Sequence, residues 1–89
     1  MGSLPPVSDG STPSVTLYWR PGCPFCSRLT AALRAEGIDY TPVNIWDDPD
    51  AAAFVRSVAN GNETVPTVTV GATALVNPPV QRIVELLQA

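Results

Sequence analysis

Histidine and lysine are both absent from this chain of 89 residues, and cysteine occurs only twice. Each absence removes something. Two cysteines without histidine supply half of the four Cys/His ligands that a closed zinc site needs, so no metal site is expected. Nor can two cysteines staple a small domain as disulfide-rich secreted folds are stapled. Positive charge rests on five arginines, Arg20, Arg28, Arg34, Arg56 and Arg82, with no basic run among them. Together with a net charge of −3, this argues against a nucleic-acid partner. No apolar stretch approaches the length of a bilayer span, so no membrane partner is expected. The first six residues, Met1 to Pro6, lack the basic and apolar regions of a secretory leader. The reducing cytoplasm is therefore the expected compartment, where a cysteine pair reads as catalytic rather than structural.

What remains is an ordinary small domain. Its apolar content of 45% suits a modest globular core. Residues 1–13, rich in Pro, Ser and Gly, read as a disordered tail, and 14–89 as a single domain. The β-branched and aromatic run Val15 to Trp19 predicts a buried strand. A helix is expected from Pro24 to Glu36, with Phe25, Leu29, Ala32 and Leu33 on its apolar face and Gly37 as its stop. Tyr40 to Ile45 reads as a second strand, placed at an edge by Pro42, which has no N–H to donate. Asp48 and Pro49 open a second helix, with Ala51, Phe54, Val55 and Val58 as its stripe and Asn60-Gly61 as its end. Thr67 to Val70 and Thr73 to Val76 read as a hairpin about Gly71-Ala72. A last helix follows Asn77, its stripe Val80, Ile83, Val84 and Leu87. The order β-α-β-α-β-β-α predicts an α/β fold, with a four-stranded mixed sheet flanked by three helices.

The chemistry concentrates in Cys23-Pro24-Phe25-Cys26. A C-x-x-C pair that follows a strand and opens a helix is a thiol–disulfide redox signal. Pro24 suits the first helical position, which leaves Cys23 as the N-cap. A thiolate there can accept the unpaired N–H groups of Phe25 and Cys26 and faces the positive end of the helix dipole. Both effects favour the thiolate. Cys23 is thus the expected attacking cysteine, and Cys26, one turn deeper, the resolving one. Arg20, three residues before Cys23, is the nearest cation. Thr64-Val65-Pro66 precedes the third strand, and Asn77 precedes the closing prolines, where it is expected to cap the last helix.

These pieces in this order resemble the glutaredoxin branch of the thioredoxin fold, over residues 14–89. The resemblance implies a cis Val65-Pro66 bond beside the attacking sulfur, with the Val65 backbone free to pair with a bound thiol. It also implies Arg20, Pro24, Phe25, Thr64, Val65, Pro66 and Asn77 around that thiol. The cofactor picture is of none bound tightly, with a small thiol as co-substrate. Proteins carrying mixed disulfides would be the other partners, and a monomer the acting form. Glutaredoxins usually carry a Gly-Gly pair and an aspartate before the last helix, and often a lysine before the first cysteine. Here Ala74-Leu75-Val76-Asn77-Pro78 and Arg20 stand instead. Asn60 to Val68, Ala51 to Val58 and Asn77-Pro78 are similar to actinobacterial mycoredoxins, which work with mycothiol. The lack of A-rich lysine codons also suits a GC-rich genome. Mycothiol, rather than glutathione, is the implied co-substrate. Cys-Pro-Phe-Cys stands where mycoredoxins more often have Cys-Gly-Tyr-Cys. Two other readings stay open: a redoxin that serves ribonucleotide reductase and is recharged by thioredoxin reductase, and an iron–sulfur carrier. Trp19 and Trp46 read as groove or packing residues, and Arg56 as part of a solvated helix face.

Overall fold

Val15–Trp19 forms β1, a strand with paired neighbours on both sides. The computed structural model describes residues 13–88. It continues with α1 (Pro24–Ala35), β2 (Thr41–Asn44), α2 (Pro49–Val58), β3 (Thr67–Val70), β4 (Thr73–Val76) and α3 (Val80–Gln88). Apart from Pro13, the tail expected over 1–13 lies outside the described residues. The strand order is β2-β1-β3-β4. β1 runs parallel to β2, with Thr16 opposite Thr41. It runs antiparallel to β3, with Leu17 opposite Val68, and β3 and β4 close the sheet as a hairpin. This is the mixed sheet of a thioredoxin fold.

The sheet separates two cores, and the central β1 contributes residues to both. On one face Val15, Leu17, Val68 and Val70 meet Leu29 and Leu33 of α1 and Ile83 of α3. On the other, Ala51, Ala52 and Val55 of α2 meet Ile45, Val65 and both cysteines. Tyr18 contacts Phe54 there, with ring centroids 5.1 Å apart. Leu17, Leu33, Val55, Val68 and Ile83 are essentially inaccessible to solvent. Burying each such side chain contributes about 1.5–3 kcal/mol.

Helix ends follow local chemistry. Asp48 Oδ1 accepts from the N–H groups of Asp50 and Ala51, both at 3.1 Å, which caps α2 ahead of Pro49. At the end of α1, Gly37 takes φ +71°. Its N–H donates to Arg34 O at 3.0 Å, and that of Ile38 to Leu33 O at 2.9 Å. This paired arrangement is a Schellman stop, in which glycine relieves the Cβ clash of the left-handed turn. Ile38 then folds back against the first core.

Three details differ from expectation. Phe25 does not join the buried face of α1; it is 55% exposed, and Cys26, Leu29 and Leu33 form that face. One residue along a helix is a rotation of about 100°, so a face centred on Cys26 turns Phe25 outward. The Arg28 guanidinium lies 5.5 Å from the Phe25 ring centre, a cation–π contact at the surface. β2 is shorter than Tyr40 to Ile45, although the Ile45 N–H still donates to Trp19 O at 2.9 Å. Asn77 does not cap the last helix. It takes φ +49°, outside the extended backbone of an N-cap, and α3 begins at Val80. The two intervening prolines carry no N–H for a cap to hold.

Gly71 joins β3 to β4 with φ +59°, a conformation that penalises a Cβ. A Cβ added there would also lie 3.3 Å from the Pro13 Cβ. Gly71→Ala is expected to lower the free energy of unfolding by about 1–2 kcal/mol. Urea denaturation checks this, with Ala72→Gly as the neighbouring control.

Candidate active site

The β1 strand ends at Trp19, and the chain turns through Arg20, Pro21 and Gly22. Gly22 takes φ +76°, which is how a turn this short redirects the chain into α1. Cys23 follows in extended conformation, φ −101° and ψ 105°, with Pro24 in the first helical turn. Cys23 Sγ accepts from the Cys26 N–H at 3.2 Å. Of the two N–H groups expected to serve it, only that of Cys26 does so in the structure. The Cys23 thiol also donates to the Val65 carbonyl at 3.7 Å. Both cysteines are free thiols.

Val65-Pro66 is a cis peptide bond. Its surroundings hold it against the sulfur from two directions. The Thr67 hydroxyl donates to Thr64 O at 2.8 Å, and the Asn77 N–H donates to Pro66 O at 2.8 Å. Asn77 therefore reaches the site through its backbone, and Thr64, Val65, Pro66 and Asn77 form one contiguous wall. Among the described residues the Val65 N–H has no protein acceptor.

Cys26 is 4% exposed. Burial, and then the neighbouring Cys23 sulfur, push its thiol up to about 12; the Arg20 backbone and guanidinium act in the opposite direction without overcoming them. Cys26 thus keeps its proton at neutral pH. The arrangement separates the two sulfurs by environment: one at a helix start beside a backbone N–H, the other held neutral behind it.

Arg20 lies apart from the Thr64–Asn77 wall. It lines a cleft of about 430 Å³ that both cysteines also border, together with Trp19, Arg34, Tyr40 and Pro42. Phe25 points outward, and Trp46 is exposed as well. Arg56 pairs with Glu63 at 2.6 Å on the surface. Arg34, Tyr40 and Pro42 were not anticipated in the cleft that the sulfurs border. A helical projection sets Arg34, eleven residues beyond Cys23, on the same flank as Ser27, two turns away. Only the β1–β2 pairing brings Tyr40 and Pro42 across to face it, and no local pattern encodes that.

Comparison with known proteins agrees with this geometry. A family model described as Glutaredoxin matches residues 15–74. The chain is 41% identical over 73 residues to a Mycobacterium tuberculosis protein named as a glutaredoxin, covering 81% of this chain and 87% of that one. It is 32% identical over 77 residues to Mycoredoxin 1 of Corynebacterium glutamicum, covering 85% and 95%. Among solved structures it is similar to the glutaredoxin-like NrdH-redoxin of Escherichia coli, with a TM-score of 0.70 and 27% identity over 82% of this chain and 93% of that one.

The elevated Cys26 value has a consequence for pH. Its folded-state value lies above the ordinary 9.0, so the retained proton stabilises the reduced fold below about pH 9. That contribution is lost as pH rises toward about 12. Between these limits the reduced protein should lose stability faster than Cys26→Ser, as read by urea midpoints. At pH 7.5, iodoacetamide should label Cys23 and leave Cys26 unmodified, as read by mass spectrometry of the digested protein.

Proposed function

This chain belongs to the glutaredoxin family of thiol–disulfide oxidoreductases, and within that family we propose that it reduces mixed disulfides with mycothiol in preference to glutathione. Low-molecular-weight thiols and disulfide substrates are the partners of the family. The observation that carries the disulfide exchange is the seat of Cys23 Sγ between the Cys26 N–H and the Val65 carbonyl, and the preference rests on the side chains that are missing around it. It sets the attacking sulfur against a backbone segment able to pair with the peptide-like part of a thiol.

The reaction balances without any further cofactor. The Cys23 thiolate attacks the small-thiol sulfur of a mixed disulfide, forming a bond from Cys23 to that thiol. The partner's sulfur leaves as a thiolate and takes a proton. A second small thiol, as thiolate, then attacks the small-thiol sulfur held on Cys23. This forms the small-molecule disulfide and returns Cys23 as thiolate. Alternatively Cys26 loses its proton and attacks Cys23 Sγ, which expels the small thiol and leaves a Cys23–Cys26 disulfide for later reduction. Either way two electrons pass from thiol to disulfide.

In this reading Pro24 sets the helix start that presents Cys23, and Phe25 stands at the exposed rim. Thr64, Val65, Pro66 and Asn77 make the wall for the thiol, and Arg20 supplies positive charge from the opposite flank. Glutathione carries two carboxylates and an amine. The lysine, glycine pair and aspartate that usually meet them are missing. Each charge-assisted hydrogen bond lost is worth about 1.5–3 kcal/mol. Two would shift preference by about two to four orders of magnitude. Mycothiol presents sugar hydroxyls instead, which Asn77 and Thr64 are suited to meet. The same reading makes the protein a cytoplasmic monomer.

The likeness to NrdH-redoxin supports a second reading, in which a thioredoxin reductase supplies the electrons. Offering the oxidised protein mycothiol, glutathione, or thioredoxin reductase with NADPH separates the two. Mycothiol is expected to discharge the Cys23 mixed disulfide at least tenfold faster than glutathione in stopped flow. Fast reduction by the reductase alone would favour the second reading.

The two cysteines should also divide the work. Cys26→Ser is expected to retain activity on small mixed disulfides, while Cys23→Ser loses it. A Cys26 variant as inactive as the Cys23 variant would exclude discharge by a second small thiol.

A further inference from the structure

Charge is unevenly distributed along this acidic chain. From Ser14 to Ala35 there are three arginines, Arg20, Arg28 and Arg34, and no Asp or Glu. All but one of the eight acidic residues lie from Glu36 onward. The element that carries the dithiol is therefore the basic part of a protein whose net charge is −3. The fold then turns two of those arginines, fourteen positions apart, into one cleft of about 430 Å³ between α1 and β2. Among the described residues neither Arg20 nor Arg34 pairs with a carboxylate, whereas Arg56 and Arg82 both do. Glu36 and Asp39, the acidic residues nearest Arg34 in sequence, do not line the cleft, although Asp39 shares an adjoining hollow with Arg34 and Tyr40 without pairing to the guanidinium.

The shape of the cleft narrows its occupant. It begins at Cys23 and Cys26 and reaches Arg34 near the other end of the helix. At 1.5 Å per residue, that stretch of α1 is about 16 Å long. An extended chain covers the same distance in about five residues. Tyr40 and Pro42 give the far wall an apolar surface for such a chain to lie on. None of Thr64, Val65, Pro66 or Asn77 lines it, so it is separate from the wall assigned to the small thiol.

From this placement we propose that the cleft between α1 and β2 seats an acidic polypeptide segment that flanks the target cysteine of a disulfide-bearing protein partner. The proposal rests on the oxidoreductase reading and names its substrate class. The partner's disulfide meets Cys23 at one end of the cleft, and its carboxylates meet the guanidinium groups along it. The thiol held at the Thr64–Asn77 wall and the protein held in the cleft then approach the same sulfur from different sides.

The test uses eight-residue peptides with one cysteine, capped as a disulfide with uncharged 2-mercaptoethanol. Two neighbouring positions carry Asp, Ser or Lys. The reduced full-length protein, in excess, is mixed with each peptide and the second-order rate of cleavage is read. The Asp peptide is expected to react about tenfold faster than the Lys peptide at 20 mM salt. The difference should collapse at 1 M salt, where the screening length falls to about 3 Å. Arg34→Gln should remove most of the Asp-over-Lys preference and Arg34→Glu should reverse it, each rate being taken relative to the Ser peptide on the same variant. Equal rates for all three peptides would overturn the cleft proposal and leave the oxidoreductase reading intact. Failure to cleave any of them would count against that reading instead. If Arg34→Gln slows discharge by glutathione and leaves the peptide panel unchanged, the cleft holds a small thiol's carboxylates and the proposal is wrong.

Discussion

The hydrogen bond from the Cys26 N–H to Cys23 Sγ is the interaction on which the rest of the site depends. It exists because β1 delivers the chain to a glycine turn, and because Pro24 starts a helix immediately after Cys23. The sulfur takes the place that a Ser or Asp oxygen takes in an ordinary N-cap. The helix cap thus falls on an atom of the redox-type cysteine pair. The same bond fixes Cys26 one turn behind Cys23, where burial keeps it protonated. From the other side the Val65 carbonyl meets the sulfur, held by a strand that pairs directly with β1. Two neighbouring strands of one sheet therefore set the position of a single sulfur.

Much of this could be read before the fold was seen. The element order, the edge position of β2, the Asp48 cap and the hairpin about Gly71 all rest on local signals: periodicity, proline, an N-cap residue and a glycine turn. Cys23 and Cys26 stood out because their spacing and their place after a strand carry chemistry. Phe25 misled because an apolar residue in the first turn fits a helical stripe on paper, while the true face is rotated by one position. Asn77 misled for a different reason. Asparagine serves equally as an N-cap and as a left-handed turn residue, and only the contact with Pro66 O decides between them.

The cleft lay beyond such reasoning altogether. Five arginines spread along a sequence look dispersed, and the three-dimensional fold is needed to gather two of them into the one cleft that the sulfurs border. Arg34 becomes part of the site through the length of α1, whose Schellman stop sets where that length ends. Tyr40 and Pro42 arrive through the parallel pairing of β2 with β1. Long-range topology creates the neighbourhood, so composition alone reads as the absence of a basic patch.

Pro42 has a further effect at the border of the sheet. β2 is an outermost strand without a charged side chain, running past the dithiol. Such a border invites a strand from another molecule to add on, because its backbone groups stand unpaired. Proline removes one donor from that border and breaks the ladder that an incoming strand would need. Two copies are thereby denied an easy rail for lining up edge to edge. Another chain arriving at this border would therefore have to dock through its side chains rather than by extending the sheet.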